Sequence, residues 1–177
     1  MSATVVLAES NGPSASRVET LNPPNLNMGS ADAVGLSPVT YPITAKANGC
    51  SYEKWERLQV QALGGSNQVD NFEVWLSSLG GGYLTGEGMV CNLATSGYAA
   101  ATYPSGGPSG NPSTVALNTM PIAQPSGPNL GIGGSLAGVI SAVPAYSDFM
   151  VLQTTVTAST PAGNSNTKTI TIQWNEM

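Results

Sequence analysis

FMVLQTTVTASTPAGNSNTKTITIQW, residues 149–174, is the stretch from which the fold is read. Phe149, Val151 and Gln153 alternate with Met150, Leu152 and Thr154, and the β-rich run continues through Thr155, Val156 and Thr157. The segment STPAGNSN (159–166) has turn composition, and beyond it Ile170, Ile172 and Trp174 share one face against Thr169, Thr171 and Gln173. A period of two in β-branched and aromatic residues specifies half-buried strands. Two such runs around a turn predict an antiparallel hairpin.

The same pattern recurs upstream. Leu58, Val60 and Ala62 alternate with Gln59, Gln61 and Leu63, and after Gly64-Gly65-Ser66-Asn67 the residues Phe72, Val74 and Leu76 alternate with Glu73, Trp75 and Ser77. This predicts a second hairpin. Val39, Tyr41, Ile43 and Ala45 alternate with Thr40, Pro42, Thr44 and Lys46, an edge or bulged strand because of Pro42. Met89 to Leu93 is strand-like; SYEKWERL (51–58) reads as extended, with a helical turn as the alternative because Tyr52, Trp55 and Leu58 are three apart. The expected fold is all-β, an antiparallel β-sandwich whose topology, Ig-like or jelly-roll, the strand signals leave open.

Two regions interrupt the pattern. Residues 1–30 hold a short β-like run, Thr4 to Ala8, followed by SNGPSAS, Arg17 to Leu21 and the breaker-rich NPPNLNMGS. They read as an extended arm or a frayed terminus outside a domain at 31–177, with Val5, Val6, Leu7 and Leu21 as candidate partner contacts. Removing them is expected to leave a folded domain. Residues 94–131 include Pro104, Pro108, Pro112, Pro121, Pro125 and Pro128, which exclude a helix or a central strand. Tyr98, Tyr103, Leu117, Met120 and Ile122 suit poorly with water, so this long Pro/Gly-rich loop lies against its own domain or against a partner.

The chain of 177 residues is 41% hydrophobic but only 8% charged, against a usual charged share of about 25%. Its surface must draw polarity from Ser, Thr, Asn, Gln and backbone, as surfaces packed into assemblies do. Arg17, Lys46, Lys54, Arg57 and Lys168 are scattered and the net charge is −5, so no patch tracks phosphates and direct nucleic-acid contact is not expected. Cys50 and Cys91 lie far apart and are read as reduced thiols rather than one disulfide. The N-terminus has no basic leader, and the weakly polar stretch 131–145 is broken by Pro144, so neither export nor membrane insertion is expected.

Histidine is absent, which removes the commonest general base and metal ligand. Carboxylate-only chemistry would have to use Glu53, Glu56, Asp70, Glu73, Glu87 or Asp148, none of which lies in a recognisable catalytic or calcium-binding spacing. Gly131-Ile132-Gly133-Gly134-Ser135 lacks the lysine and the helix of a phosphate loop and reads as a tight bend. Proline inside Asn111-Pro112-Ser113 disqualifies a glycosylation sequon. Trp55, Trp75 and Trp174 allow a sugar-stacking platform, with core packing the simpler use. No catalytic residue, cofactor or metal is assigned, and the chain is expected not to be an enzyme.

Three blocks, NFEVWLSSLGGGYLTGEGMVCNL (71–93), PNLGIGGSLAG (128–138) and YSDFMVLQTTVTASTPAGNSNTKTITIQWNE (146–176), resemble small β-sandwich virion proteins of tailed bacteriophages. The resemblance covers about the C-terminal two-thirds and is one of texture and segment order. It implies a capsid cement or decoration protein, often trimeric, made in the host cytoplasm and bound to the major capsid protein on the outer shell. The same texture suits a tail, neck or baseplate component, and a glycan-binding module or adhesin is the alternative from another class.

Overall fold

A computed structural model describes residues 2–101 and 117–177 of the chain. Its strands fall into two antiparallel sheets packed face to face as a β-sandwich. The larger sheet runs in the order β2 (Val18–Leu21), β1 (Thr4–Asn11), β4 (Lys54–Ala62), β10 (Phe149–Val156), β6 (Gly88–Thr95) and β7 (Asn118–Thr119). Two short strands join it, β3 (Gly49–Cys50) beside β10 and β9 (Ala145–Tyr146) beside β4. The smaller sheet is β11 (Thr169–Glu176), β5 (Val69–Ser78) and β8 (Val139–Ile140).

The alternation read from the sequence determines which side chains meet between the sheets. Leu58 and Val60 from β4, Met150 and Leu152 from β10, and Met89 and Cys91 from β6 pack on Phe72, Val74 and Leu76 of β5, with Ile170, Ile172 and Trp174 of β11 closing the layer. A second, smaller core lies on the opposite face of the larger sheet. There Trp55, Phe149 and Val151 are buried beneath Tyr98, Ala99, Ala101 and Leu117. Trp55 stands edge-on to Tyr98 and Phe149, with ring centroids 5.3 and 5.6 Å apart, an arrangement that favours aromatic pairs beyond their buried area. The centre of the larger sheet is thus covered on both faces.

Both predicted hairpins are corrected by this arrangement. The strands exist, but β4 and β5 belong to different sheets, and so do β10 and β11. Each turn carries the chain across the sandwich. Within the sheets β4 pairs with β10, Glu56 opposite Met150, and β5 pairs with β11, Val74 opposite Ile172. The physical reason lies in the outer faces. β10 is buried at all five residues from Phe149 to Gln153 and needs cover on both sides. β5 and β11 have Glu73, Ser77, Thr171 and Gln173 on one face and need cover on one side only.

Residues 4–21 are not an arm outside the domain. β1 pairs with β4 from Thr4 to Ser10 and with β2 on its other side, and Ala8, Glu9 and Ser10 are buried. Pro23 and Pro24 follow this strand pair instead of preventing it. The strand expected at 39–46 is absent. Val39 is 85% exposed, and the segment is a run of turns and irregular backbone. SYEKWERL enters β4 in extended form, as read.

The flanks of the long loop fold onto their own domain. Tyr98 donates its hydroxyl to the Gly12 carbonyl at 2.6 Å. Met120 donates its amide to Met89, and Pro121 accepts the Leu76 amide at 2.8 Å. Asn129 substitutes for a neighbouring strand: its side chain accepts the Val74 amide at 2.7 Å and donates to the Val74 carbonyl at 2.8 Å. Tyr103, Pro104, Pro108 and Pro112 lie outside the described residues.

Candidate interaction surfaces

The residues expected to touch a partner separate into two groups. Val5 and Leu7 pack against the main core, and Val6 is half-buried on β1. Met120 is 1% exposed, and Tyr98 and Leu117 roof the second core. Val5, Leu7, Met120, Tyr98 and Leu117 thus pack within their own domain. Leu21 and Ile122 remain at the surface, Ile122 being 63% exposed. Apolar pattern alone marked all of them because it does not distinguish burial by the chain's own sheet from burial by another chain.

Charge follows the opposite course and turns inward. Lys54 contacts Glu9 at 2.5 Å with both side chains buried, Arg57 binds Glu19 at 2.6 Å, and Lys168 binds Glu87 at 2.6 Å. Arg57 also lies 3.5 Å from the Tyr146 ring centroid, and Arg17 lies 5.3 Å from that of Tyr98. Three of the five cations are therefore paired with carboxylates, and a fourth, Arg17, lies over a ring at the surface. Among the carboxylates, Glu53 accepts the Trp55 indole N–H at 3.1 Å, and Asp148 accepts the Gly134 amide at 3.0 Å. Asp148 thus occupies the amide of the glycine-rich bend, where Gly133 and Gly134 take positive φ values of 61° and 84°.

One buried carboxyl pair includes a residue that the sequence reading did not single out. Glu9 and Glu56 stand directly opposite each other in the β1–β4 ladder, both fully buried, with Lys54 two residues from Glu56 on the same face. Burial, and then the Glu9 carboxylate, hold the Glu56 carboxyl well above the usual carboxylate range, against the pull of Lys54. A protonated Glu56 can donate to Glu9, which gives partners to oxygens that are otherwise buried without any. The visible signal was an acid embedded in the strand-like run TVVLAES. Among the described residues no three His, Cys, Asp or Glu side chains gather in a geometry that would hold a metal ion.

The tryptophans share no platform. Trp55 lies in the second core, Trp174 faces inward beside Phe72 at 6.4 Å, and Trp75 is half-buried among the outward residues of β5. Cys50 and Cys91 are free and buried, and burial pushes the Cys91 thiol up to about 11. Burial thus disfavours the thiolate at both.

A cleft of about 880 Å³ opens where the space between the sheets meets solvent. Leu76, Met89, Val156 and Ile170 line its interior, and Asn25, Asn27, Asn164 and Asn166 contribute amides. The Glu87–Lys168 pair neutralises the two charges within it. Residues 168–170, the approach to and start of β11, form part of its wall.

Comparison with known proteins gave no match: no family model fits the chain, and no curated protein or solved structure is significantly similar to it.

Proposed function

We propose that this chain is a non-enzymatic structural protein of a tailed-bacteriophage virion, of the cement type that binds the outside of the capsid shell and stabilises it. The observation that carries this reading is the inward use of charge. With only 8% charged residues, three of the five cations paired with carboxylates and a fourth, Arg17, over the Tyr98 ring, the exterior carries few free charges and is rich in hydroxyl, amide and backbone groups. Such a surface can be desolvated against a neighbour without stranding ions, and burying an unpaired charge is among the costlier events at an interface. Burial of Glu9 and Glu56 puts this carboxyl pair out of reach of a substrate, which favours binding over catalysis. The blocks at 71–93, 128–138 and 146–176 add their resemblance to small virion sandwich proteins.

The test is quantitative mass spectrometry of purified particles before and after a wash in high salt. Cement predicts shell-like copy number and retention in salt, because neutral contacts are little screened. A few copies per particle would place the chain in the tail, neck or baseplate, and absence from particles would overturn the virion reading.

A further inference from the structure

We propose that two copies of this chain associate through β11, pairing antiparallel about a two-fold axis at Ile172 and joining two three-stranded sheets into one of six strands. This inference does not rest on the virion reading. It begins from the sheet margins.

Among the described residues three of the four sheet margins are short. β2 spans four residues and carries Glu19 in its ion pair with Arg57, and β7 and β8 span two residues each. β7 runs into Met120 and Pro121, and the flank of β5 beyond β8 is filled by Leu130 and Asn129. β11 is different. It is eight residues long, without proline, and uncharged from Thr169 to Asn175. Among the described residues its backbone pairs with β5 and with nothing on its other side. Its ladder with β5 has two irregularities, and at both the extra residue lies in β5, one beside left-handed Asn71, so β11 itself stays regular. Natural sheets guard open edges with charge, proline, bulges or short length. β11 has none of these along its free side.

Self-complementarity identifies the occupant. Opposed residues in an antiparallel pair share a face, so Ile170, Ile172 and Trp174 must meet inward residues of the incoming strand. A register centred on Ile172 does this with a second copy of β11. Ile172 meets its own counterpart and Ile170 meets Trp174. On the outer face Thr171 meets Gln173 and Thr169 meets Asn175. The ends then bring Lys168, which its own chain's Glu87 already holds, opposite Glu176, once on each side of the axis, so no like charges face each other. The same register lays Trp174 to Glu176 of the second copy along residues 168–170, which line the cleft.

Sedimentation equilibrium over a concentration series tests the proposal with three forms of the full chain. The wild type is expected at twice 18.0 kDa. T171K/Q173K places lysine against lysine twice across the axis and is expected at the mass of one chain. T171K/Q173E places lysine against glutamate in this register alone and is expected to return to two chains. Circular dichroism confirms that each variant is folded; both substitutions lie on the solvent side of β11. A wild type that stays at one chain, a three-chain mass, or a T171K/Q173K variant that keeps the two-chain mass would overturn the proposal. So would a T171K/Q173E variant no more associated than T171K/Q173K.

Discussion

β10 and β11 are consecutive strands of equal length, separated by the twelve residues 157–168, yet their surroundings are opposite. β10 has a strand on each side, β4 and β6, and cover on both faces, from the main core and from the layer around Trp55 and Tyr98. β11 has one neighbouring strand and one buried face. A strand closed on every side contributes stability and little else. A strand open along one edge and one face contributes less to stability and is available for recognition. The molecule divides its labour accordingly: the larger sheet holds the fold, and the smaller sheet presents an edge.

The sharpest way to break this contrast is to remove β1, which completes the larger sheet beside β4. Deleting residues 2–21 takes away Val5, Leu7 and Ala8 and leaves Lys54 buried without Glu9. Breaking a buried pair alone costs about 3–5 kcal/mol, within a net stability of roughly 5–15 kcal/mol. The deletion is expected to abolish cooperative unfolding in a urea titration followed by far-UV circular dichroism. A folded, cooperative product would restore the separable arm.

A single side chain on the doubly covered sheet comes next. Trp55→Ala is expected to lower unfolding free energy by about 3–5 kcal/mol, because the indole is completely buried between Phe149 and Tyr98. Gln173→Ala on the outer face of β11 is expected to change it by less than about 0.5 kcal/mol in the single-chain form. Equal effects at the two positions would remove the contrast.

Glu56 adds a pH-dependent difference. Its folded-state carboxyl is held above the unfolded value, so the folded chain binds more protons than the unfolded one between the two. Stability therefore falls as pH rises from the ordinary glutamate range through the folded value, and is fully present below that range. Glu56→Gln removes this slope while keeping a donor toward Glu9. Chemical denaturation at several pH values is expected to show the variant gaining on wild type as pH rises. A constant difference would show that Glu56 is not the source.

Much of this architecture was legible in the residues. Phe72, Val74 and Leu76 were assigned to one face and lie in the core, and the four strands expected in hairpins are present within a few residues of their expected limits. Their partners were not legible, because a period of two identifies the buried face but not the strand beside it. The run FMVLQ did carry a signal: five consecutive buried residues require cover on both faces, which alternating TITIQ does not. The alternation at 39–46 misled because Pro42 and the surrounding turns leave Val39 and Tyr41 in solvent. The arm misled because Pro23 and Pro24 were taken to weaken a segment that they only terminate. Among the charged residues, Glu9 escaped notice because its burial opposite Glu56 depends on a pairing between strands distant in sequence, Glu9 lying 45 residues from Lys54.

Amide hydrogen exchange on dilute, single-chain protein tests the central asymmetry most directly. In an antiparallel pair every second amide of an edge strand points away from its neighbour. The account predicts slow exchange throughout Phe149–Val156 and fast exchange at alternate amides of Thr169–Glu176, with those fast amides becoming protected as concentration rises. Uniform slow exchange along β11 in the dilute protein would contradict it, because the edge would then be closed within the single chain.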